Sequence, residues 1–512
     1  MRIGVCVFLS VLFILLVSGA MWERASATHQ EKKAAEQAPT NSHEVSPEAR
    51  NVLDEAGSAS PELGADALIK LAEVEKKASI PERIEWLTNA FYLAAQAEQS
   101  VKKASMPGAA RDTRSGSLSG AFSLNLDKLS LQSRIINDML PLAPRKARVL
   151  LEEIQFPQLS PVTCQEPLSY DPSVFYQTIG RVIQDGFSAE DKRKGRHIAI
   201  LAQYIGSLQS HSQVKPAARL VIEMELSPSD FGQLANRFAN AISQLRGDER
   251  SFASGMIGPG PYTITGSIAA VIEALDHKGL PDIVLLKALR EYLVSNLSAR
   301  PCGEMASGDS HKSPASEAIK YFNQTFRSAI QNSQIAAIGD DELKGMRVGE
   351  MALVQPYWQS TQAKQLLVVI KKLRFGDGDK ALPVSSRETV GWLSKLTDFL
   401  IQLEAWTPSA EEDPNFFHEK CVLYESLVDL IPSGQDRSKV IDSFVNFLGQ
   451  NSTEVSRIEW LEHVDNLILR TRGADSHEEV LRTFSTAGDP SLNLYAHLEL
   501  LELQTVRPAR KQ

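Results

Sequence analysis

Residues Gly64 to Gln99 read GADALIKLAEVEKKASIPERIEWLTNAFYLAAQAEQ, and their apolar spacing indicates two consecutive helices. Apolar side chains from Leu68 to Ala72 recur every three or four residues and place one stripe on a first helix. A second helix is predicted after Ser79, where Pro81 suits the first turn and Glu82 completes a capping box. The stretch therefore predicts a helical hairpin, which needs neighbouring helices to bury its apolar face.

The pentapeptide RIEWL occurs twice, at Arg83–Leu87 and at Arg457–Leu461. A residue that can cap a helix, Ser79 or Thr453, precedes the tryptophan by the same number of positions in both places. The recurrence predicts a second hairpin of the same kind, although chance similarity stays open because no fixed period accompanies it. Hairpins of about 35 residues resemble those of tetratricopeptide proteins in architecture only, since the W-x2-L-G-x2-Y signature is absent.

Helical spacing continues through most of the 512 residues, and hydrophobic residues make up 43% of them, so a packed core is feasible. The predicted fold is all-α, an array of antiparallel helical hairpins similar to an α-solenoid. An N-terminal helical domain is predicted at residues 61–300 and a C-terminal one at 315–505, joined by a linker loop at 301–314. Residues 28–60 are predicted to be a disordered tether with a short helix at Pro47–Glu55.

Start and stop signals set the bounds of individual helices. They predict helices at Ala189–Leu208 and Thr453–Arg470, and Gly449 is predicted to end the helix that begins near Ser438. The glycine- and serine-rich stretch Met106–Gly120 is predicted to be a flexible loop. Three tryptophans on apolar stripes are expected in the core rather than on a binding surface: Trp86, Trp392 and Trp460.

The N-terminus predicts export. A positive charge at Arg2, an apolar run from Ile3 to Val17 and the small residues Ala25-Ser26-Ala27 make residues 1–27 a signal peptide, cleaved after its last alanine. The alternative is an uncleaved membrane anchor, because residues 3–22 are long enough to span a bilayer. The mature protein is therefore expected outside the cytoplasm, either periplasmic or extracellular, or anchored to the membrane by this segment.

The charge balance limits the classes of partner. The formal net charge is −9 and no compact basic patch stands out, so nucleic acid is not an expected partner. A protein or a peptide is the expected partner. Contact with a membrane is expected only through an uncleaved N-terminal segment.

No catalytic, cofactor-binding or metal-binding residue is assigned from the sequence. His418–Cys421 brings a histidine and a cysteine together, but without a second pair of ligands it is a poor zinc signal. Gly116–Gly120 reads GSLSG and has leucine where a nucleophile elbow needs serine. Acidic residues such as Glu404 and Glu411–Asp413 are interpreted as solvated surface charge.

The most specific chemical prediction from the sequence concerns the cysteines. Export places the mature chain in a compartment where disulfides form. Cys421 lies on an apolar helical stripe and is expected to be a buried thiol. Cys164 and Cys302 both lie in proline-containing loops, so a Cys164–Cys302 disulfide is predicted, with three free thiols as the alternative.

Two classes of function remain open. The first is a non-catalytic protein- or peptide-binding or scaffold module outside the cytoplasm, because helical arrays offer concave binding surfaces. The second is an all-helical hydrolase with an acidic cleft, which needs two carboxylates that face one cleft. A smooth apolar or mixed groove would favour binding, and converging carboxylates or histidines would favour the enzyme.

Overall fold

A computed structural model gives the architecture of the protein. It describes residues 45–105, 113–255, 263–297, 358, 360–376, 378, 380–387, 389–408, 415–432, 434–472 and 477–506. These residues are predominantly helical, which confirms the all-α prediction. The strands β1 (Lys103–Ser105) and β2 (Leu168–Tyr170) form one short antiparallel pair, in which Lys103 lies opposite Tyr170.

The helices before residue 300 are, in chain order, α1 (Pro47–Ala56), α2 (Pro61–Val74), α3 (Ile80–Ala94), α4 (Arg114–Ser123), α5 (Lys128–Met139), α6 (Pro144–Glu153), α7 (Ser173–Asp185), α8 (Ala189–Arg193), α9 (Arg196–Gly206), α10 (Val214–Glu223), α11 (Pro228–Gln244), α12 (Glu249–Ser254), α13 (Ile264–His277) and α14 (Ile283–Leu297). A 3-10 turn at His211–Gln213 precedes α10. The later helices are α15 (Thr361–Phe375), α16 (Val384–Arg387), α17 (Val390–Ala405), α18 (Phe416–Leu430), α19 (Gln435–Gln450), α20 (Arg457–Thr471), α21 (His477–Thr486) and α22 (Pro490–Val506).

The hairpin predicted at residues 64–99 is formed by α2 and α3, which pack against each other. Ser79 Oγ accepts a hydrogen bond from the backbone N–H of Glu82, and Glu82 Oε2 accepts one from the backbone N–H of Ser79 at 2.7 Å. This capping box satisfies two amide groups at the start of α3. Trp86 and Phe91 lie on the buried face of the helix, as the apolar spacing predicts.

The first and last described helices pack against each other. α1 and α2 both contact α22, and Ala49 and Val52 of α1 are fully buried. Glu55 at the end of α1 accepts a hydrogen bond from Asn493 at 2.6 Å and lies 2.7 Å from His497 Nδ1. The short helix expected at Pro47–Glu55 is therefore formed by α1, and it packs against other helices.

A second contact joins distant parts of the chain at α4, β2 and α20. An apolar cluster lies at this contact: Ala121, Phe122, Leu168 and Ile458. Beside it, Glu98 Oε2 accepts a hydrogen bond from the backbone N–H of Arg457 at 3.1 Å. The N-terminus of a helix carries partial positive charge, so this carboxylate stabilises the start of α20.

Three helix bounds differ from the sequence prediction. α20 begins at Arg457 and not near Thr453, because turns precede it and Glu98 supplies the acceptor for its first N–H group. The predicted helix Ala189–Leu208 is divided into α8 and α9, since Gly195 adopts a φ of 70°. Gly449 does not stop α19, which runs on to Gln450.

The predicted loop Met106–Gly120 is wrong at its C-terminal end, where α4 begins at Arg114. Thr113 Oγ1 caps this helix by accepting a hydrogen bond from the backbone N–H of Gly116 at 3.2 Å. Packing against α20 stabilises α4, and helix propensity alone does not reveal that contact. Residues 106–112 lie outside the described part of the chain.

The three tryptophans expected in the core are buried, which confirms that prediction. The indole N–H of Trp392 donates to the backbone carbonyl of Leu373 at 2.9 Å, and that of Trp460 to the carbonyl of Leu448 at 2.8 Å. Both carbonyls lie in the last turn of a preceding helix, α15 or α19, so each tryptophan satisfies an acceptor at a helix end.

From Ser46 onward, the described residues belong to one compact unit. The signal peptide at residues 1–27 and the linker at 301–314 lie outside the described residues, so the predicted domain boundaries stay predictions. Within the described residues, no helix combines the length and the apolar character needed to cross a membrane.

Candidate binding groove

A groove of about 720 Å³ lies between α7, α10 and α13, and we call it the α7–α10 groove. Its lining combines apolar, polar and charged side chains from these three helices: Ser173, Tyr176, Gln177, Gly180, Arg181, Gln184, Lys215, Pro216, Arg219, Leu220, Ile222, Glu223, Met224, Ser267 and Ala270. Such a mixed lining is typical of surfaces that bind other molecules.

The apolar floor of the groove depends on close packing of α7 and α10. A methyl group on Gly180 would lie 3.1 Å from Leu220 Cδ1, so glycine allows these helices to approach. Leu220 and Met224 are buried in the floor, whereas 37% of Ile222 remains exposed. The groove therefore presents apolar surface that a partner could cover.

The charged side chains of the groove are mostly positive. Arg181 and Arg219 are exposed and Lys215 is half-buried. Glu223 is the acidic member of the lining, and its Oε1 accepts a hydrogen bond from Arg219 Nε at 2.6 Å. The charge of the lining is therefore +2 if these four groups are ionised, in a protein whose net charge is −9.

A second cleft, of about 610 Å³, lies beside α6 and α8, and five of its seven charged groups pair with each other. Asp191 bonds to Arg148 at 3.1 Å and to Arg196 at 2.7 Å. The hydrogen bond from Ser188 and these two arginines lower the pKa of Asp191 against the opposing effect of desolvation. This cleft has less free positive charge to offer a partner than the α7–α10 groove.

A carboxyl pair lies outside both clefts. Burial and the neighbouring carboxyl of Glu73 raise the pKa of Asp138 to about 6, while Arg134 and Arg181 act in the opposite direction. Asp138 belongs to α5 and Glu73 to α2. Neither residue lines the α7–α10 groove or the α6–α8 cleft, so this pair does not build an acidic cleft.

Four buried ionisable side chains meet between α18 and α20, and we call them the Glu–His–His–Glu chain. His418 Nε2 lies 2.9 Å from Glu459 Oε1, and His418 Nδ1 lies 2.9 Å from His463 Nε2. His463 Nδ1 lies 2.7 Å from Glu425 Oε1. Burial opposes ionisation of Glu425, but its bonds to His463 and Arg470 lower its pKa overall.

Sequence reasoning missed this chain because His418 and His463 are 45 residues apart. A local signal exists, since Glu459 and His463 are four residues apart on a helix face that also carries core residues. Polar residues on a buried face need partners. The pattern therefore indicates that Glu459 and His463 need polar partners, but it does not identify those partners.

The structure describes only one of the two cysteines of the predicted disulfide, Cys164. Cys164 is buried, with 7% of its surface exposed, and Cys421 is a fully buried free thiol, as predicted. Burial raises the pKa of Cys421 well above its usual range. Cys302 lies outside the described residues, so its pairing with Cys164 stays a prediction.

The other segments considered for chemistry lie in ordinary structural positions. Gly116–Gly120 belongs to α4, and Glu404 Oε1 accepts a hydrogen bond from Ser443 Oγ at 2.6 Å. Glu411–Asp413 lie outside the described residues. Among the side chains that the structure describes, no group of three or more histidine, cysteine, aspartate or glutamate residues is arranged to hold a metal ion.

Comparison with known proteins adds no functional assignment. No protein-family model matches the chain, and no curated protein is significantly similar to it.

Proposed function

We propose that this chain is an exported, non-catalytic helical protein that binds an acidic, partly apolar peptide segment of a partner protein in the α7–α10 groove. The observation that carries the proposal is the combination of an apolar floor with positive side chains in that groove. Apolar contact supplies affinity, and complementary charge supplies specificity and faster association. Arg181 and Lys215 are the cations expected to contact the acidic residues of the peptide.

The export part of the proposal rests on the N-terminal sequence. The apolar run and the Ala25-Ser26-Ala27 motif support a signal peptide. N-terminal sequencing of the exported protein should find Thr28 as the first residue. An intact Met1 in a membrane fraction would instead support the anchor formed by residues 3–22.

Binding is favoured over hydrolysis by the way the acidic groups of the two clefts are bonded. A glycoside hydrolase of the usual kind needs two carboxyl groups that face one cleft and are free to take up or release protons. Of the four acidic groups that line the two clefts, three bond to neighbouring cations: Glu223 to Arg219, Asp191 to Arg148 and Arg196, and Glu190 to Lys194. Such pairs are typical of structural charge on a helical surface.

A peptide selection tests the groove directly. Random peptides displayed on phage would be selected on the full mature protein, and those enriched should combine aspartate or glutamate with large apolar residues. Arg181→Glu/Lys215→Glu should weaken binding of a selected synthetic peptide by about tenfold or more, because like charges then face each other. Measurement of the dissociation constant by fluorescence anisotropy gives the result.

A matched variant controls for overall charge. Arg145→Glu/Lys194→Glu changes the net charge by the same amount but lies in the α6–α8 cleft. The selected peptide should bind this variant as well as it binds the wild-type protein. Equal loss of binding in both variants, or enrichment of basic peptides, would contradict the proposal.

A further inference from the structure

The outer face of α15 carries positive charge that no other residue of the helix balances. Its exposed positions recur at helical spacing and include three lysines: Lys364, Gln365, Val368, Lys371 and Lys372. The helix contains no aspartate or glutamate. None of the three lysines forms an ion pair or a side-chain hydrogen bond with any residue that the structure describes. Their charge is therefore available to a partner.

Aliphatic side chains protrude beside these lysines. Val390, the first residue of α17, is 85% exposed, which is the largest exposed fraction of any large apolar side chain in the described part of the chain. Val384 on α16 is 57% exposed, and Val368 lies between the lysines of α15. Water surrounds these side chains in the free protein, so their burial by a partner would be favourable.

Two hydrogen bonds place α16 and the start of α17 at the C-terminal end of α15. The indole N–H of Trp392 donates to the carbonyl of Leu373 at 2.9 Å, and the backbone N–H of Leu382 donates to the carbonyl of Arg374 at 2.8 Å. Both carbonyls belong to the last turn of α15, next to its two consecutive lysines. We call the combined area the lysine–valine surface, and it is formed by Lys364, Val368, Lys371, Lys372, Val384 and Val390.

The sequence around this surface is basic as a whole. Residues 361–400 contain seven basic and four acidic side chains, a net charge of +3, in a chain whose net charge is −9. The acidic members are Asp377, Asp379, Glu388 and Asp398. The lysine–valine surface therefore belongs to an electropositive part of an acidic protein, which attracts negatively charged partners.

We infer that the lysine–valine surface binds the surface of an anionic lipid bilayer, with its lysines at the headgroups and its valines in the apolar layer beneath them. Anionic headgroups attract basic side chains, and aliphatic side chains gain free energy when they leave water. A lysine can lay its methylene stem along apolar surroundings while its ammonium group stays at the headgroups.

An acidic protein fits this surface less well than a bilayer does. Lysine is depleted in protein–protein interfaces, where arginine and aromatic residues are enriched. All the cations of the lysine–valine surface are lysines, and its most exposed apolar side chains protrude from the protein instead of lining a groove. The inference is independent of the proposed peptide binding, because the α7–α10 groove is formed by other helices.

A second pair of consecutive lysines provides a matched control. Lys76 and Lys77, between α2 and α3, are exposed, and Ile80 beside them is 56% exposed. The acidic side chains near this pair in the sequence are Glu73, Glu75, Glu82 and Glu85. Residues 73–85 therefore have a net charge of −1, and this site should not bind an anionic bilayer.

The test introduces a fluorescent amino acid whose emission depends on polarity, Anap, into the full chain in place of Val390 or, as the control, of Ile80. Vesicles consist of phosphatidylcholine alone or with about one third phosphatidylglycerol. Emission from position 390 should shift to the blue with the anionic vesicles and not with the neutral ones. Position 80 should respond to neither. Because the probe reports its own surroundings, membrane contact through the N-terminal segment does not give this signal.

Removal of the lysine charge gives the expected magnitude. Each basic residue near an anionic surface strengthens binding by about fivefold. In the chain with the probe at 390, Lys371→Gln/Lys372→Gln should therefore raise the lipid concentration for a half-maximal shift by about 25-fold. Lys76→Gln/Lys77→Gln removes the same charge and should leave that concentration unchanged. All the substituted positions are exposed, so the variants should keep the fold.

Three results would overturn the inference. One is the absence of a blue shift at position 390 with anionic vesicles, and another is an equal shift at positions 390 and 80. The third is an equal effect of the two lysine variants. A shift at position 390 with soluble polyglutamate and none with vesicles would belong to the first case, and it would indicate an acidic protein as the partner.

Discussion

At the scale of single residues, Gly64 is required where α1 meets α2. A methyl group added there would overlap the backbone carbonyl oxygen of Ala56, which cannot move aside as a side chain can. Gly64→Ala should therefore lower the free energy of unfolding by about 1–3 kcal/mol. Chemical denaturation of both proteins measures this change in the free energy of unfolding.

Gly449→Ala is the matched control for this substitution. Gly449 also lies inside a helix, but a methyl group there meets no atom within 4 Å. The variant should be unchanged or more stable by about 0.5–1 kcal/mol, because alanine favours the helix. Equal effects of the two substitutions would show that α1 does not pack on α2 as described.

The carboxyl group of Asp138 is expected to make the stability of the protein depend on pH. Its pKa is raised to about 6, from 3.8, by burial and by Glu73, so the folded carboxyl keeps its proton to higher pH than the unfolded one. The stabilisation from this group is complete below about pH 4 and is lost as pH rises through 6. Asp138→Asn should match the wild-type protein near pH 4 and be more stable at pH 7. A stability difference that does not change between these pH values would show that Asp138 is ionised normally.

Residues whose partners are local could be predicted from the sequence, and those with distant partners could not. Trp86 and Cys421 lie on apolar stripes, and burial follows from spacing alone. His418 faces a histidine 45 residues away, and Asp138 faces a carboxyl group on another helix. No local pattern identifies such partners.

At the scale of elements, the two copies of RIEWL begin their helices by different means. Ser79 caps α3 with its side chain, whereas Ser456 before α20 makes no side-chain cap bond. Ser79→Ala should therefore lower the free energy of unfolding by about 1 kcal/mol, and Ser456→Ala by much less. Thermal or chemical unfolding of both variants gives the comparison. A larger loss in Ser456→Ala would contradict the assignment of the caps.

The same comparison explains which elements could be predicted. The start of α3 depends on residues within three positions of Ser79, so the sequence reveals it. The start of α20 depends on Glu98, and α4 depends on packing against Ile458. These contacts join residues several hundred positions apart, so local start signals misplaced the start of α20 and did not reveal α4.

At the scale of the whole molecule, the Cys164–Cys302 disulfide stays a prediction, and it would close a long loop of the chain. A bridge across about 140 residues would stabilise the folded chain by roughly 4–5 kcal/mol at most, by restricting the unfolded chain. Cys302→Ser should lower the melting temperature and leave Cys164 open to alkylation. Non-reducing peptide mapping of the wild-type protein checks the pairing. Alkylation of both cysteines without reductant, or a bridge to Cys421, would contradict it.

Packing of the last helix on the first two could not be predicted, because apolar spacing shows which face of a helix is buried but not what covers it. Glu55, for example, lies 438 positions from its partner Asn493. The sequence therefore supports the fold class, while the groove and the buried histidine pair depend on packing between helices that only the structure shows.

Site-specific photo-crosslinking shows whether an acidic, partly apolar peptide binds in the α7–α10 groove. Benzoylphenylalanine would replace Ile222 in the groove or, as a control, Val368 on α15, which is 52% exposed. A selected peptide should crosslink strongly at position 222 and weakly at 368, and unlabelled peptide in excess should abolish the signal. Equal crosslinking at both positions, or none at 222 while the peptide still binds, would contradict binding in the α7–α10 groove.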